Sequence, residues 1–147
     1  MAEFVLDASV AISWCFPGDP TEDTPYSHGI LRELHGILRE LIVRDAVVPE
    51  IWAFEIANNI FVSHSKRKRI SAQQIAEYLD LLKALPIRVE SQPLWTNVDL
   101  EAFARRWDVA AYDASYLALA MRKNIPLATS DELLKRKDLD AGVKILG

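Results

Sequence analysis

The sequence predicts an α/β protein: a central parallel sheet of about five strands with helices on both faces, a three-layer α/β/α sandwich. Three observations carry that expectation. Short runs that favour strands are separated by longer stretches with helical spacing of apolar residues. Strands alternating with helices build parallel sheets covered on both sides. No repeat, low-complexity tract or linker divides the 147 residues, so a single domain over 1–147 is expected.

The elements follow in order. Phe4-Val5-Leu6 is a buried strand, and Asp7 ends the run. A helix is expected from about Ala8 to Phe16, stopped by Pro17-Gly18-Asp19-Pro20. An acidic loop leads to Pro25. Ile30, Leu31, Leu34, Leu38, Leu41 and Ile42 then recur with helical spacing to about Val43. Ala46-Val47-Val48 is the second strand. Pro49 to about Ser65 forms a helix that is apolar around most of its girth, hence buried or at an interface. Ser71-Ala72-Gln73-Gln74 is a capping box that opens a helix to about Leu85, where Pro86 breaks it. Ile87-Arg88-Val89 is strand three. One helix is expected from about Pro93 to Trp107, and a small-residue helix follows at Tyr112–Ala120, able to pack close to a sheet. Pro126-Leu127-Ala128 is strand four. A short helix follows Thr129-Ser130-Asp131, and Val143-Lys144-Ile145-Leu146 is strand five.

Bulk properties narrow the function. The formal net charge of −4 argues against broad, charge-driven coating of nucleic acid. It leaves room for a nuclease, because a local basic rim can guide RNA around an acidic centre. Cys15 is the only cysteine, so no internal disulfide forms and a thiolate zinc site is disfavoured; its neighbours suggest a buried thiol. No signal-peptide pattern opens the chain, and no apolar run reaches the roughly 20 residues that span a bilayer. The expectation is a soluble cytoplasmic protein without a membrane partner.

Four acids stand out by context: Asp7 after strand one, Asp131 after strand four, Asp113 at the start of the small-residue helix, and Glu55 inside an apolar helix. The carboxyl edge of an open parallel sheet is where ligands bind. Were the four to converge, mutual repulsion would raise their pKa values, and a hard divalent cation would relieve it. Oxygen donors without Cys or His favour Mg²⁺ or Mn²⁺, and such an ion serves phosphodiester hydrolysis.

Each acid also has a structural reading. Asp7 suits a helix cap, and Asp113 and Asp131 suit first-turn dipole compensation. Thr129 to Glu132 matches a capping box. Glu55 is harder to explain that way, because a lone carboxylate beside Trp52, Phe54 and Ile56 is costly unless it faces solvent or pairs with Arg. Ser9 and Thr129 are either donors to the acids or caps. Lys66-Arg67-Lys68-Arg69 reads as an RNA contact or, more simply, as positive charge at a helix C-terminus. His28, His35 and His64 lack ligand spacing, and the four tryptophans read as core or interface.

Four motifs in order carry a resemblance. They are Phe4-Val5-Leu6-Asp7-Ala8-Ser9; Pro49-Glu50-Ile51-Trp52 with Glu55 and Asn58; Tyr112-Asp113-Ala114-Ser115-Tyr116-Leu117-Ala118-Leu119-Ala120; and Thr129-Ser130-Asp131. Together they resemble PIN domains, most closely the VapC-type toxins of toxin–antitoxin pairs, over essentially the whole chain. The resemblance implies a PIN-like sandwich. It implies that Asp7, Glu55, Asp113 and Asp131 bind one or two Mg²⁺ or Mn²⁺ ions and activate water against an RNA phosphodiester. Ser9, Asn58 and Thr129 match polar positions around the acids. A homodimer and a small VapB-like antitoxin are the implied partners. The loop from Asp19 to Pro25 looks longer and more acidic than in the simplest members.

Competing classes fail on residues. A receiver domain needs a phosphoacceptor Asp after strand three, where Glu90-Ser91-Gln92 stands; a haloacid-dehalogenase-like phosphatase needs an acid where Ser9 stands. No Gly-rich phosphate loop is present. The expected function is a metal-dependent ribonuclease toxin. The alternatives are an RNA-maturation nuclease without an antitoxin and a non-catalytic PIN-like binding module.

Overall fold

The run Phe4-Val5-Leu6 lies fully buried in strand β1 (Glu3–Leu6), one of the two inner strands of a parallel sheet ordered β3-β2-β1-β4. A computed structural model describes residues 3–15, 36–68 and 70–146, the side chains at 15, 138 and 139 excepted. The expected loop to Pro25, the first part of the helix from Tyr26, the Cys15 thiol, His28, His35 and Arg69 lie outside the described residues.

Helix α1 (Ala8–Cys15) follows β1, and residues 36–43 form α2. Strand β2 (Asp45–Pro49) pairs with β1 in the register Phe4↔Ala46 and Val5↔Val47. Ala46, Val47 and Val48 are fully buried, as Phe4, Val5 and Leu6 are. Continuous apolar runs suit strands that are covered on both faces. Burial of each large side chain contributes about 1.5–3 kcal/mol.

Helix α3 (Ile51–Phe61) continues into a π-helical turn at Val62–Lys66, so the expected helix is unbroken but loosens in its last turn. Ile56 is buried, while Phe54 and Phe61 face outward. Helix α4 (Ala72–Ala84) opens on the expected capping box: Ser71 Oγ accepts from Gln74 N–H, and Gln74 Oε1 accepts from Ser71 N–H. Edge strand β3 (Ile87–Glu90) pairs with β2.

Two expectations are corrected. The helix expected over 93–107 is two helices, α5 (Leu94–Val98) and α6 (Leu100–Trp107), with Asp99 between them. The apolar positions slip phase between Val98 and Leu100, and Asn and Asp weaken helix interiors. The fifth strand shrinks, among the described residues, to one parallel bridge, Leu127↔Ile145. Strand β4 (Leu127–Ala128) is only two residues long, so it offers no longer ladder to a neighbour.

Helix α7 (Ala111–Lys123) packs on β1, β2 and β4. Its Ala114 and Ala120 let the backbone approach the sheet, and Tyr116, Leu117 and Leu119 fill the core. Helix α8 (Glu132–Asp140) follows β4. At the amino end of the sheet, Glu3 pairs with Arg88, and Lys123 Nζ lies 3.4 Å from Glu3 and 3.8 Å from Glu90. Among the described residues no helix is long and apolar enough to cross a membrane.

Candidate active site

The strand order reverses direction between β1 and β4, and such a switch point opens a crevice at the carboxyl edge of the sheet. Asp7 stands on one side of it, just past β1. Asp131 stands on the other, just past β4. Helix α3 begins at the carboxyl end of β2, which puts Glu55 in its second turn near the same edge. Helix α7 runs back towards the start of β4, so its first turn, with Asp113, lies there too.

Asp7 is buried, with 4% of its surface exposed. Its Oδ2 accepts from Thr129 Oγ1 at 2.6 Å and from Ser9 Oγ at 2.7 Å. The first of these bonds crosses the crevice. Ser9 N–H also faces the carboxylate, so Asp7 caps α1 as well as facing the crevice. Thr129 Oγ1 in turn accepts from Asp131 N–H at 3.1 Å, and Ser9 Oγ accepts from Ser130 N–H at 3.2 Å. Both hydroxyls, candidates from sequence, thus orient Asp7 and brace the loop after β4.

Asp131 Oδ1 accepts from Leu134 N–H at 3.1 Å, so Asp131 caps α8. The cap is Asp131 itself, where the sequence suggested Thr129; Thr129 is turned to Asp7 instead. Asp113 is half-buried and makes no hydrogen bond through its carboxylate among the described residues, and α7 has no side-chain cap. Glu55 is partly buried and, among the described residues, pairs with no Arg. Its Oε1 accepts from the Tyr116 hydroxyl at 2.8 Å. Asn58, one turn further on, is exposed and takes no hydrogen bond among the described residues. Lys66, Arg67 and Lys68 are exposed on the turn that ends α3.

The four acids feel one another. Burial is the main force pushing the Asp7 carboxyl above its ordinary range, and Asp131 adds to it. Burial likewise raises Glu55, with Asp7 and Asp113 contributing; burial raises Asp113, with Asp7 and Asp131 contributing. Among the described residues no Lys or Arg acts on any of these three. Glu3 gives the contrast. Only four residues before Asp7, it is held below the ordinary range by Arg88, with Lys123 helping.

The donor set fits a hard divalent cation: oxygen atoms only, with Asp7, Glu55 and Asp113 partly desolvated and, among the described residues, acted on by no Lys or Arg. The acids do not form a finished cage. Among the described residues no three His, Cys, Asp or Glu side chains stand together closely enough to hold an ion as they are. The two findings concern different ranges. Coulomb coupling acts across several Å, whereas ligand bonds to Mg²⁺ are about 2.0–2.1 Å.

A cleft of about 640 Å³ lies beside this edge between the starts of α3 and α7 and helix α6. It includes Phe54, Tyr112 and Ser115, neighbours of Glu55 and Asp113, but none of the four acids. Its outer residues are apolar and exposed: Phe54 at 71%, Tyr112 at 62% and Val98 at 52%.

The sequence reading missed Tyr116. A tyrosine among Ala and Leu reads as core, and Tyr116 is core by burial. Yet a buried phenol needs a partner for its O–H, and so does a carboxylate in an apolar helix. Pairing those two needs was the available signal.

Comparison with known proteins agrees with this architecture. The chain is similar to Ribonuclease VapC3 of Pyrobaculum aerophilum, 26% identical over 139 residues, covering 92% of this chain and 94% of that protein. The crystal structure of PAE2754 from Pyrobaculum aerophilum shares the fold, with a TM-score of 0.60, 18% identity, and coverage of 92% of this chain and 86% of that one. So does the crystal structure of FitAcB from Neisseria gonorrhoeae, with a TM-score of 0.56, 18% identity, and coverage of 98% and 96%. The PIN domain model matches residues 4–139, a span that takes in β1, the crevice and all four acids; the chain belongs to the PIN domain family.

Proposed function

We propose that the chain is a Mg²⁺- or Mn²⁺-dependent endoribonuclease, a single PIN domain over 1–147 that serves as the toxin of a VapBC-type pair in the cytoplasm. One observation carries the reading: carboxylates from separate parts of the chain act on one another, with Asp7, Glu55 and Asp113 each raised by burial and by neighbouring acids and, among the described residues, offset by no compensating Lys or Arg. The likeness to a protein named Ribonuclease VapC3 supports RNA as substrate and a VapB-like antitoxin as partner.

Asp7, Glu55, Asp113 and Asp131 would hold the ion. When bound, it supplies Lewis-acid polarisation of a phosphodiester oxygen and activation of a water. The chain's own residues prepare for it. Thr129 and Ser9 fix Asp7 through a single oxygen, Oδ2. Tyr116 holds Oε1 of Glu55, and Leu134 N–H holds Oδ1 of Asp131, so each acid keeps its second oxygen for a ligand. Burial of Asp7 beneath the crevice excludes bulk water from its carboxylate. The exposed apolar wall of the neighbouring cleft supports a protein partner there, either a second copy or the antitoxin.

RNA incubated with the protein tests the reading. Cleavage should require Mg²⁺ or Mn²⁺, stop with EDTA, and disappear in Asp113→Asn. Expression of the wild type should slow growth where Asp113→Asn does not. Cleavage that survives EDTA, or that Asp113→Asn retains, overturns the reading. A second reading, a non-catalytic PIN module, is favoured by the cap bonds of Asp7 and Asp131. It requires that Mn²⁺ at millimolar concentration give no binding heat.

A further inference from the structure

Tyr116 lies at the meeting point of the elements that carry three of the acids. Its side chain is fully buried, and its hydroxyl donates to Glu55 Oε1 at 2.8 Å. On α7, Tyr116 is three residues after Asp113, close to one helical turn. One phenol oxygen therefore links the middle of α3 to the first turns of α7.

We propose that Tyr116 is a positioning residue for the acid site: its hydroxyl, fixed by a ring buried in the core, sets where the Glu55 carboxylate stands relative to Asp7 and Asp113. The inference rests on the metal reading above and adds a residue to it. Geometry carries the argument. Glu55 is on a helix whose next residue, Ile56, is buried and whose neighbour Phe54 is exposed, so the Glu55 side chain lies at the boundary of core and solvent. Without a partner it would swing outward to water, because a carboxylate is costly to leave in apolar surroundings. The Tyr116 hydroxyl is the one donor to its carboxylate among the described residues. A rigid two-torsion side chain packed in the core is a firmer anchor than any surface group. Partners of this kind orient metal ligands, and their loss typically weakens metal affinity 10–100-fold.

The test is a cycle of Tyr116→Phe, Glu55→Ala and the double variant, read by Mn²⁺ binding from the electron paramagnetic resonance signal of the free ion. Tyr116→Phe is expected to weaken Mn²⁺ binding about 10–100-fold in the wild-type background and to change it little once Glu55 is Ala. The tryptophan bands of the near-ultraviolet circular dichroism should stay unchanged, which a general loss of packing would not allow. Equal affinity of wild type and Tyr116→Phe overturns the proposal, as does the same loss in both backgrounds. Should Tyr116→Phe fail to fold, Glu55→Asp reads the contact from the other side. It keeps the charge but withdraws the carboxylate by one methylene, and a similar loss of affinity is expected. Wild-type affinity in Glu55→Asp overturns the proposal. A wild-type chain that binds no Mn²⁺ refutes the metal reading and this inference together, whereas binding that Tyr116→Phe leaves intact refutes this inference alone.

Discussion

Asp7→Asn should reverse its effect on stability when a divalent ion is added. Asp7 is almost fully buried and accepts two hydroxyl hydrogen bonds at 2.6 and 2.7 Å, with no Lys or Arg acting on it among the described residues. Bonds to a charged acceptor contribute about 1.5–3 kcal/mol each, against a desolvation penalty of several kcal/mol for the buried ion. The folded-state pKa of Asp7 is raised above its ordinary value of 3.8. The protonated form is therefore favoured in the folded chain. Its stabilisation is complete below 3.8 and is lost as pH rises through the elevated folded value. Asn mimics the protonated state at every pH and keeps one acceptor oxygen. At pH above that window and in EDTA, Asp7→Asn should be level with the wild type or more stable by about 1 kcal/mol, near 3 °C in a domain of this size. Mn²⁺ at one hundred times its Kd should stabilise the wild type by about 2.7 kcal/mol, or roughly 8 °C, and Asp7→Asn should lose most of that. Thermal melts of both proteins with EDTA and with Mn²⁺ are the assay. A variant several degrees less stable in EDTA, or one that keeps the whole Mn²⁺ gain, would refute the reasoning and make Asp7 a structural residue.

Further outcomes follow from the same geometry. Thr129→Val removes the donor that spans the crevice and should cost about 1.5–3 kcal/mol where Asp7 is ionised, and less at acidic pH where it is protonated. Urea unfolding at two pH values measures this, and an equal loss at both would contradict it. Ser71→Ala breaks the capping box of α4, far from the acids, and should cost about 1 kcal/mol while leaving Mn²⁺ affinity unchanged. Altered affinity in that variant would show that the acid site depends on the whole fold and not on its own neighbours.

The legible parts of the molecule are those where one local signal decides. Phe4-Val5-Leu6 ends at a carboxylate, so β1 and the place of Asp7 could be read directly. Ser71 and Gln74 announce α4 by a reciprocal bond that needs no tertiary partner. Strand five failed because a strand exists only by pairing, and β4 is too short to pair with it at length. The break at Asp99 is written in the phase slip from Val98 to Leu100, a weaker mark than a proline. In the site, Asp7 and Asp131 follow strands and are readable at the sheet edge. Glu55 and Asp113 reach it only because α3 leaves, and α7 returns to, that edge. Thr129 was a candidate donor to the acids, but which acid it serves was hidden, as was the role of Tyr116, since their partners lie 122 and 61 residues away.

The most direct test of the central claim, that the clustered acids together take one kind of divalent ion, is calorimetric titration of Mn²⁺ into the wild type in buffers of different ionisation enthalpy. Burial and mutual repulsion raise Asp7, Glu55 and Asp113, so ion binding should release protons. The number released should grow as pH falls into the window between the ordinary and raised values. Saturable binding with that proton release, abolished in Asp7→Asn, is the expected result. Absent binding at millimolar Mn²⁺, or binding that Asp7→Asn retains with no proton release, would contradict the account.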